Sequence, residues 1–272
     1  PDAPGRTRRE YCYNILVSGL DDDNGGSDTN ILVRFDVPNK RIDLVSLPRD
    51  TLLHNEYRNN KLNFAYAKGG TELLMEQIEN LLGIPVDFYV TVNLKGFIAL
   101  VDQIDGVDFD IPINMDYDDP YQDLHIHFTK GPRHLNGQEA MEVVRFRHNN
   151  DGTGYGTEDI GRIGTQQAFL KAVAKQLLQI GNVKNIPALV DIFYTYVKTD
   201  LTTGNLVWLG NEALNIGTEN IHFATLPGDG SGYYNKQSVY VLDAQATCDL
   251  VNEALNPYNE ALTLEDMDIL VP

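Results

Sequence analysis

The chain has 272 residues, 42 % of them hydrophobic, and 39 Asp and Glu against 21 Lys and Arg give a net charge of −18. Such a composition excludes a disordered chain, and its acidity excludes a general nucleic-acid binder, which needs a basic face. No apolar run approaches the roughly 18–20 residues that cross a bilayer. Residues 1–10 are polar and carry Arg6, Arg8 and Arg9. They read as a stub behind a removed N-terminal membrane helix, or as a plain chain boundary. Cys12 and Cys248 lack the spacing of a zinc site, and two pairings stay open. One is a disulfide closing a long loop, stabilising by about 5 kcal/mol in the chain-entropy model; the other is two buried thiols.

In chain order, Tyr13–Gly19 is an apolar run ending in glycine, the pattern of a buried strand. Ile31–Phe35 and Ile42–Leu47 are strands joined by the turn Val37-Pro38-Asn39-Lys40. The spacing of Leu74, Ile78, Leu81 and Leu82 predicts a helix over Thr71–Leu82, with Thr71 as N-cap and Gly83 and Pro85 as its stop. Asp87–Val92, Val107–Ile111 and Leu124–Phe128 read as strands, and Lys95–Ile104 and Asn136–Val144 as helices. Asp116–Pro120 reads as a turn. A Gly- and Asn-rich loop over Asn149–Thr157 leads to a long helix from Ile163 to Leu178, with Arg162 just before it. Ile186–Val197, Asn205–Asn215 and Ala244–Leu255 are further helices, and Ile221–Leu226 and Val239–Leu242 further strands. This alternation predicts one α/β domain over residues 11–256, with helices covering a mixed sheet, and a peripheral acidic tail over 257–272.

Few cations serve this acidic chain, so their positions are informative. Arg49 follows a strand, Lys61 lies in Asn60-Lys61-Leu62-Asn63, Arg145 and Arg147 bracket Phe146, and Gln166 lies one turn beyond Arg162. In an extended segment Arg145 and Arg147 would face one way. Guanidinium forks at strand ends and helix starts suit phosphate, whereas ordinary surface ion pairing is the plain alternative. Directly after the first strand, Asp21, Asp22, Asp23 and Asp28 fall in a short Gly- and Asn-containing loop. Hard carboxylate oxygens there suit Mg²⁺ beside phosphate, and a solvated acidic turn is the alternative.

The ordered blocks Asn14–Asp21, Ser27-Asp28-Thr29, Ser46–Thr51, Lys61–Gly70, Gly106–Pro112, Leu135–Ala140, Val144–His148 and Asp159–Arg162 running to Gln166 resemble the LytR-CpsA-Psr family of Gram-positive cell-envelope enzymes. The resemblance implies an α/β/α sandwich around a mixed sheet, outside the cell behind one N-terminal membrane helix. It implies phosphotransfer of a glycopolymer, such as teichoic acid or capsule polysaccharide, from a polyprenyl-pyrophosphate carrier to peptidoglycan. Asp21 and Asp28 correspond to magnesium-facing carboxylates. Arg49, Lys61, Arg145, Arg147, Arg162 and Gln166 correspond to the pyrophosphate-binding set. Asp159 corresponds to an acidic residue that positions an arginine or serves as base. An apolar tunnel for the prenyl chain is expected on the inner faces of the Thr71–Leu82, Lys95–Ile104 and Ile163–Leu178 helices.

The chain departs from the family pattern where arginines are often found: it has Asp23, Gly26 and Thr165 instead. Two rival readings stand beside transfer, namely hydrolysis of polyprenyl pyrophosphate and non-catalytic binding of phosphorylated wall precursors. His125-Ile126-His127 places two imidazoles on one strand face, a zinc-type pair with no third ligand evident in the sequence. Rim or surface histidines are the alternative.

Overall fold

The computed structural model describes residues 5–20, 25–156, 158–179 and 186–272. In chain order the elements are β1 (Cys12–Leu20), β2 (Ser27–Asp36), β3 (Arg41–Leu47), α1 (Leu62–Leu82), β4 (Phe88–Val92), α2 (Leu94–Gln103), β5 (Val107–Ile111), β6 (Met115–Asp119), β7 (Leu124–Phe128), β8 (Gly131–Leu135), α3 (Gly137–Arg145), α4 (Glu158–Gln179), α5 (Ile186–Tyr196), β9 (Val197–Thr199), α6 (Thr203–Ile216), β10 (Ile221–Thr225), β11 (Gly228–Tyr234), β12 (Gln237–Leu242) and α7 (Ala244–Ala254). Among the described residues, no helix is long and apolar enough to cross a membrane. The described residues pack as two compact units, Pro1–Asn93 with Val197–Pro272, and Leu94–Tyr196. The middle of the expected 11–256 domain is therefore a compact unit of its own.

The first unit is built on a mixed six-stranded sheet in the order β10-β3-β2-β1-β4-β9. β1 pairs antiparallel with β2 and parallel with β4, while β3 pairs antiparallel with β2 and parallel with β10. Alternation along each strand sorts the side chains by face. Leu16, Leu32 and Val45 lie in register across β1, β2 and β3 and share a core with Leu74, Ile78 and Leu81 of α1 and Val251 of α7. Tyr13, on the opposite face, meets Trp208 of α6 edge-on at 5.9 Å. Helices therefore cover both faces, and the α/β/α sandwich is the fold. The apolar stripe of α1, Leu74, Ile78, Leu81 and Leu82, is buried in this core.

Helix α1 starts earlier than its apolar spacing predicts. Lys61, not Thr71, is its N-cap, and the helix is broken at Gly69 and Gly70. Gly70 takes φ 66°, ψ −156°, a conformation left almost wholly to glycine, so the predicted helix is the second limb of a kinked one. Arg162 lies inside α4 and not ahead of it. Asp116–Asp119 is strand β6 and not a turn; β8, β9 and β11 are also strands beyond those predicted. Cys12 and Cys248 are two separate buried thiols, and burial pushes the Cys12 thiol up to about 11.

The chain's two ends dock together on the first unit, where a polar stub and a peripheral tail were expected. Arg8 pairs with Asp87 and Arg9 with Asp36, while Arg9 N donates to Pro257 O at 2.9 Å. Tyr258 and Leu262 of the tail are buried in the core. Arg6 Nη2 meets Asp266 Oδ2 at 2.6 Å, and this hydrogen bond holds the Asp266 carboxyl below its ordinary value of 3.8. A depressed folded value contributes stability above the unfolded one and loses it as pH falls through the folded one. The stability difference between wild type and Asp266→Asn should be constant above about pH 5 and shrink in more acid solution. Its size should be about 1 kcal/mol or less, since the pair is partly solvated. Urea titrations across that range measure it.

The second unit has its own core. Phe109, Ile111, Ile126, Phe128, Leu135, Ala140, Val143, Phe146 and Phe169 pack from β5, β7, β8, α3 and α4. Helix α3 opens on a capping box: Asn136 accepts from Glu139 N, and the Glu139 side chain accepts from Asn136 N.

Candidate functional site

In the first unit the charged groups gather at one end of the sheet. β2 runs antiparallel to both neighbours, so its first residues lie beside the carboxyl ends of β1 and β3. That end is where ligand sites form in open α/β sheets. Leu20 pairs with Ser27 across a bulge, which places Asp28 there, and β3 runs out at Leu47 into Pro48-Arg49-Asp50. This turn is fastened to the start of α1: Leu62 N donates to Thr51 O at 3.0 Å and Asn63 N to Arg49 O at 2.9 Å.

The turn carries a chain of alternating charges. Arg49 Nη1 donates to Asp28 Oδ1, Arg49 Nε lies 3.7 Å from Asp50 Oδ1, and Lys61 Nζ lies 3.3 Å from the same oxygen. All four side chains are partly buried, with 19–31 % of their surface exposed. Asp50 links Arg49 to Lys61 and was not singled out in the sequence, although it adjoins Arg49. Lys61 as N-cap makes no side-chain capping bond and puts a cation at the positive end of a helix. A locally unfavourable choice of this kind is common at functional positions. Ser27 Oγ and Arg49 Nε are buried without a hydrogen-bond partner, which marks this corner as polar capacity beyond what the fold consumes.

The second unit brings Arg145, Arg147, Arg162 and Gln166 into one neighbourhood. α3 ends at Arg145, so the segment is not extended throughout; Phe146 then turns inward and is 1 % exposed. Its half-buried neighbours Arg145 and Arg147 flank that anchor. Gln166 Nε2 donates to Val144 O at 3.2 Å, tying α4 to the end of α3. Tyr155 closes the arrangement: its ring meets Phe146 at 5.6 Å, and its hydroxyl lies 2.7 Å from Thr165 Oγ1. Arg162 is only 5 % exposed. Arg145 also donates from Nη2 to Gln122 Oε1 at 2.6 Å. Asp159 falls in the first turn of α4, with its side chain outside the described residues, and Asp21 and Asp23 lie outside them altogether.

His125 and His127 project from β7 beside Asp118 of β6, a third candidate ligand that sequence spacing did not reveal. The hydrogen bond that His125 donates to Asp118 raises its pKa above the ordinary 6.5, and the one that His127 donates to Asp116 raises that of His127.

The sheet end of the first unit, with Asp28, Arg49 and Lys61, has the side chains of phosphate chemistry, and the second unit separately carries Arg145 at the end of α3, Arg147 just beyond it and Arg162 on α4. The LytR_cpsA_psr family model matches residues 6–256, and the chain belongs to that family. It is 32 % identical over 248 residues to the polyisoprenyl-teichoic acid–peptidoglycan teichoic acid transferase TagV of Bacillus subtilis, covering 86 % of this chain and 61 % of TagV. It is 32 % identical over 245 residues to the corresponding transferase TagU of Bacillus cereus, covering 88 % of this chain and 77 % of TagU. The crystal structure of B. subtilis TagV superimposes with a TM-score of 0.77 at 27 % identity, covering 97 % of this chain and all of that one.

Proposed function

We propose that this protein transfers an anionic glycopolymer from a polyprenyl-pyrophosphate carrier to a peptidoglycan hydroxyl at the cell envelope. Its membership of the family, together with the cation-bearing sheet end at Arg49 and Lys61, supports this reading. The acceptor oxygen attacks the phosphorus that bears the polymer, the bond from that phosphorus to the lipid phosphate breaks, and polyprenyl phosphate leaves. A phosphodiester to peptidoglycan remains.

Arg49, Arg145, Arg147 and Arg162 are the groups that bind phosphate oxygens and stabilise the charge gathering on them, with Lys61 and Gln166 orienting the headgroup. Asp159 is the carboxylate assigned to take the acceptor's proton or to hold an arginine. Asp28, with Asp21, fits a Mg²⁺ ion by its hard oxygen donors and by the unpartnered, buried hydroxyl of neighbouring Ser27. When bound, that ion supplies further positive charge at the pyrophosphate.

The test is affinity for polyprenyl phosphates of increasing length with one headgroup, measured below the micellar concentration of the detergent, beside a transfer assay with and without acceptor. Burial of about 25 cal/mol per Å² of apolar surface should make long chains bind far better than short ones. A flat series would remove the carrier lipid as substrate. Phosphate release without acceptor, at the rate seen with it, would favour the hydrolase. Asp28→Asn should abolish transfer, and retained activity in that variant or in EDTA would remove the metal.

A further inference from the structure

We propose that the β6–β7 hairpin is a binding site for a divalent transition-metal ion of the Zn²⁺ class, with His125, His127 and Asp118 as ligands. The argument begins with register. β6 and β7 pair antiparallel with Asp116 opposite His127 and Asp118 opposite His125. The other face of the hairpin is apolar: Met115, Leu124, Ile126 and Phe128 are buried in the core of the second unit. A one-residue slip would turn that set out to solvent, so the core fixes the register. The same constraint holds two imidazoles and two carboxylates in a square on the outer face.

One ligand atom from each of Asp118, His125 and His127 lies within 4.8 Å of the other two. His125 Nδ1 and His127 Nε2, the latter at 3.3 Å, both approach Asp118 Oδ1. The opposite ring nitrogens face other carboxylates: His127 Nδ1 lies 2.8 Å from Asp116 Oδ1, and His125 Nε2 lies 3.6 Å from Asp123 Oδ1. Each imidazole therefore has one nitrogen turned toward the centre and the other toward an outer carboxylate. A metal ion would replace the proton that His125 Nδ1 shares with Asp118, while the hydrogen bond of His127 Nδ1 to Asp116 keeps the His127 tautomer whose Nε2 can ligate, as is usual for histidines on zinc. Two imidazoles and one carboxylate with room for water suit Zn²⁺, Co²⁺ or Ni²⁺ better than Mg²⁺ or Ca²⁺, which prefer oxygen donors throughout.

The hairpin is also held from outside. Asn149 Oδ1 accepts from Asp116 N at 2.7 Å, and Asn150 Oδ1 accepts from Asp118 N at 2.6 Å. Gln122, in the turn between the strands, holds Arg145. A metal ion here clips β6 to β7, a pair that two strands alone stabilise weakly.

The test is a titration of the purified chain with Co²⁺, followed by its visible d–d absorption, and with Zn²⁺ by calorimetry, both in excess Mg²⁺ to fill oxygen-donor sites. One equivalent should bind, and Zn²⁺ should displace Co²⁺. His127→Asn and Asp118→Asn should each weaken binding at least ~10-fold, and Asp116→Asn, acting through His127, about 10-fold. These side chains are half exposed or more, and circular dichroism of each variant verifies the fold. Zn²⁺ should raise the Tm of wild type and leave that of His127→Asn unmoved. No saturable binding, binding lost to excess Mg²⁺, or equal binding by wild type and both ligand variants would overturn the site.

Discussion

Replacing Arg49 with alanine should lower kcat for polymer transfer on the order of 10²–10³-fold, by analogy with other lost donors to a developing oxyanion. Two effects act together. The guanidinium is lost as a donor to phosphate, and Asp28 loses the cation that pairs with it, so less positive charge meets an anionic substrate there. Arg49→Lys separates them, because lysine keeps the charge but not the planar fork. The lysine variant should recover part of the loss and fall well short of wild type. Because charge grows in the transition state, kcat should fall, and the weaker attraction for the anionic donor should raise KM as well, so kcat/KM falls further than kcat. Steady-state kinetics on both variants, at saturating and limiting donor, make the comparison. A lysine variant as active as wild type would show that Arg49 makes no bidentate contact.

Most of the fold was legible because its elements carry strong periodicity. β5 and β7 fall on the residues their alternation marks, and β1 to β3 follow from apolar runs split by turn residues. The missed strands lack that signal. β6 reads Met-Asp-Tyr-Asp-Asp and exposes its acidic alternate positions, so it resembles a turn until Leu124–Phe128 is placed opposite it. β11 is Gly-Asp-Gly-Ser-Gly-Tyr-Tyr, and only its ladder with β12 makes it a strand. The sequence singled out candidate residues one at a time and not as pairs. Arg49 and Asp28 are far apart in sequence, and their contact depends on the antiparallel return of β2 beside β3. Asp118 becomes the third partner of His125 and His127 by the same means: cross-strand register is a tertiary fact that spacing along one strand cannot supply.

Phe169→Ala should destabilise the second unit by about 3–5 kcal/mol, the usual cost of removing a buried aromatic ring. The ring is 1 % exposed and lies 5.7 Å from Phe97 and 5.6 Å from Phe109, so its loss leaves a cavity bounded by α2, β5 and α4. Those neighbours are themselves anchored and can collapse only in part. The urea midpoint read by far-UV circular dichroism should fall accordingly. Trp208 is the chain's one tryptophan and belongs to the first unit, so its fluorescence shows whether that unit unfolds at the same midpoint. The functional consequence follows from helix geometry. Gln166 and Arg162 lie three and seven residues before Phe169, on the same face of α4. The ring therefore sets the rotation and depth at which both are presented. A shift of about 1 Å at positioned groups can cost on the order of 10²-fold in rate. Phe169→Ala should thus lose activity even at temperatures where circular dichroism finds it folded, and Phe169→Leu, which refills part of the space, should regain both stability and rate. A folded alanine variant with wild-type kcat would show that α4 is held by its other contacts, the Gln166 bond to Val144 and the Tyr155 bond to Thr165.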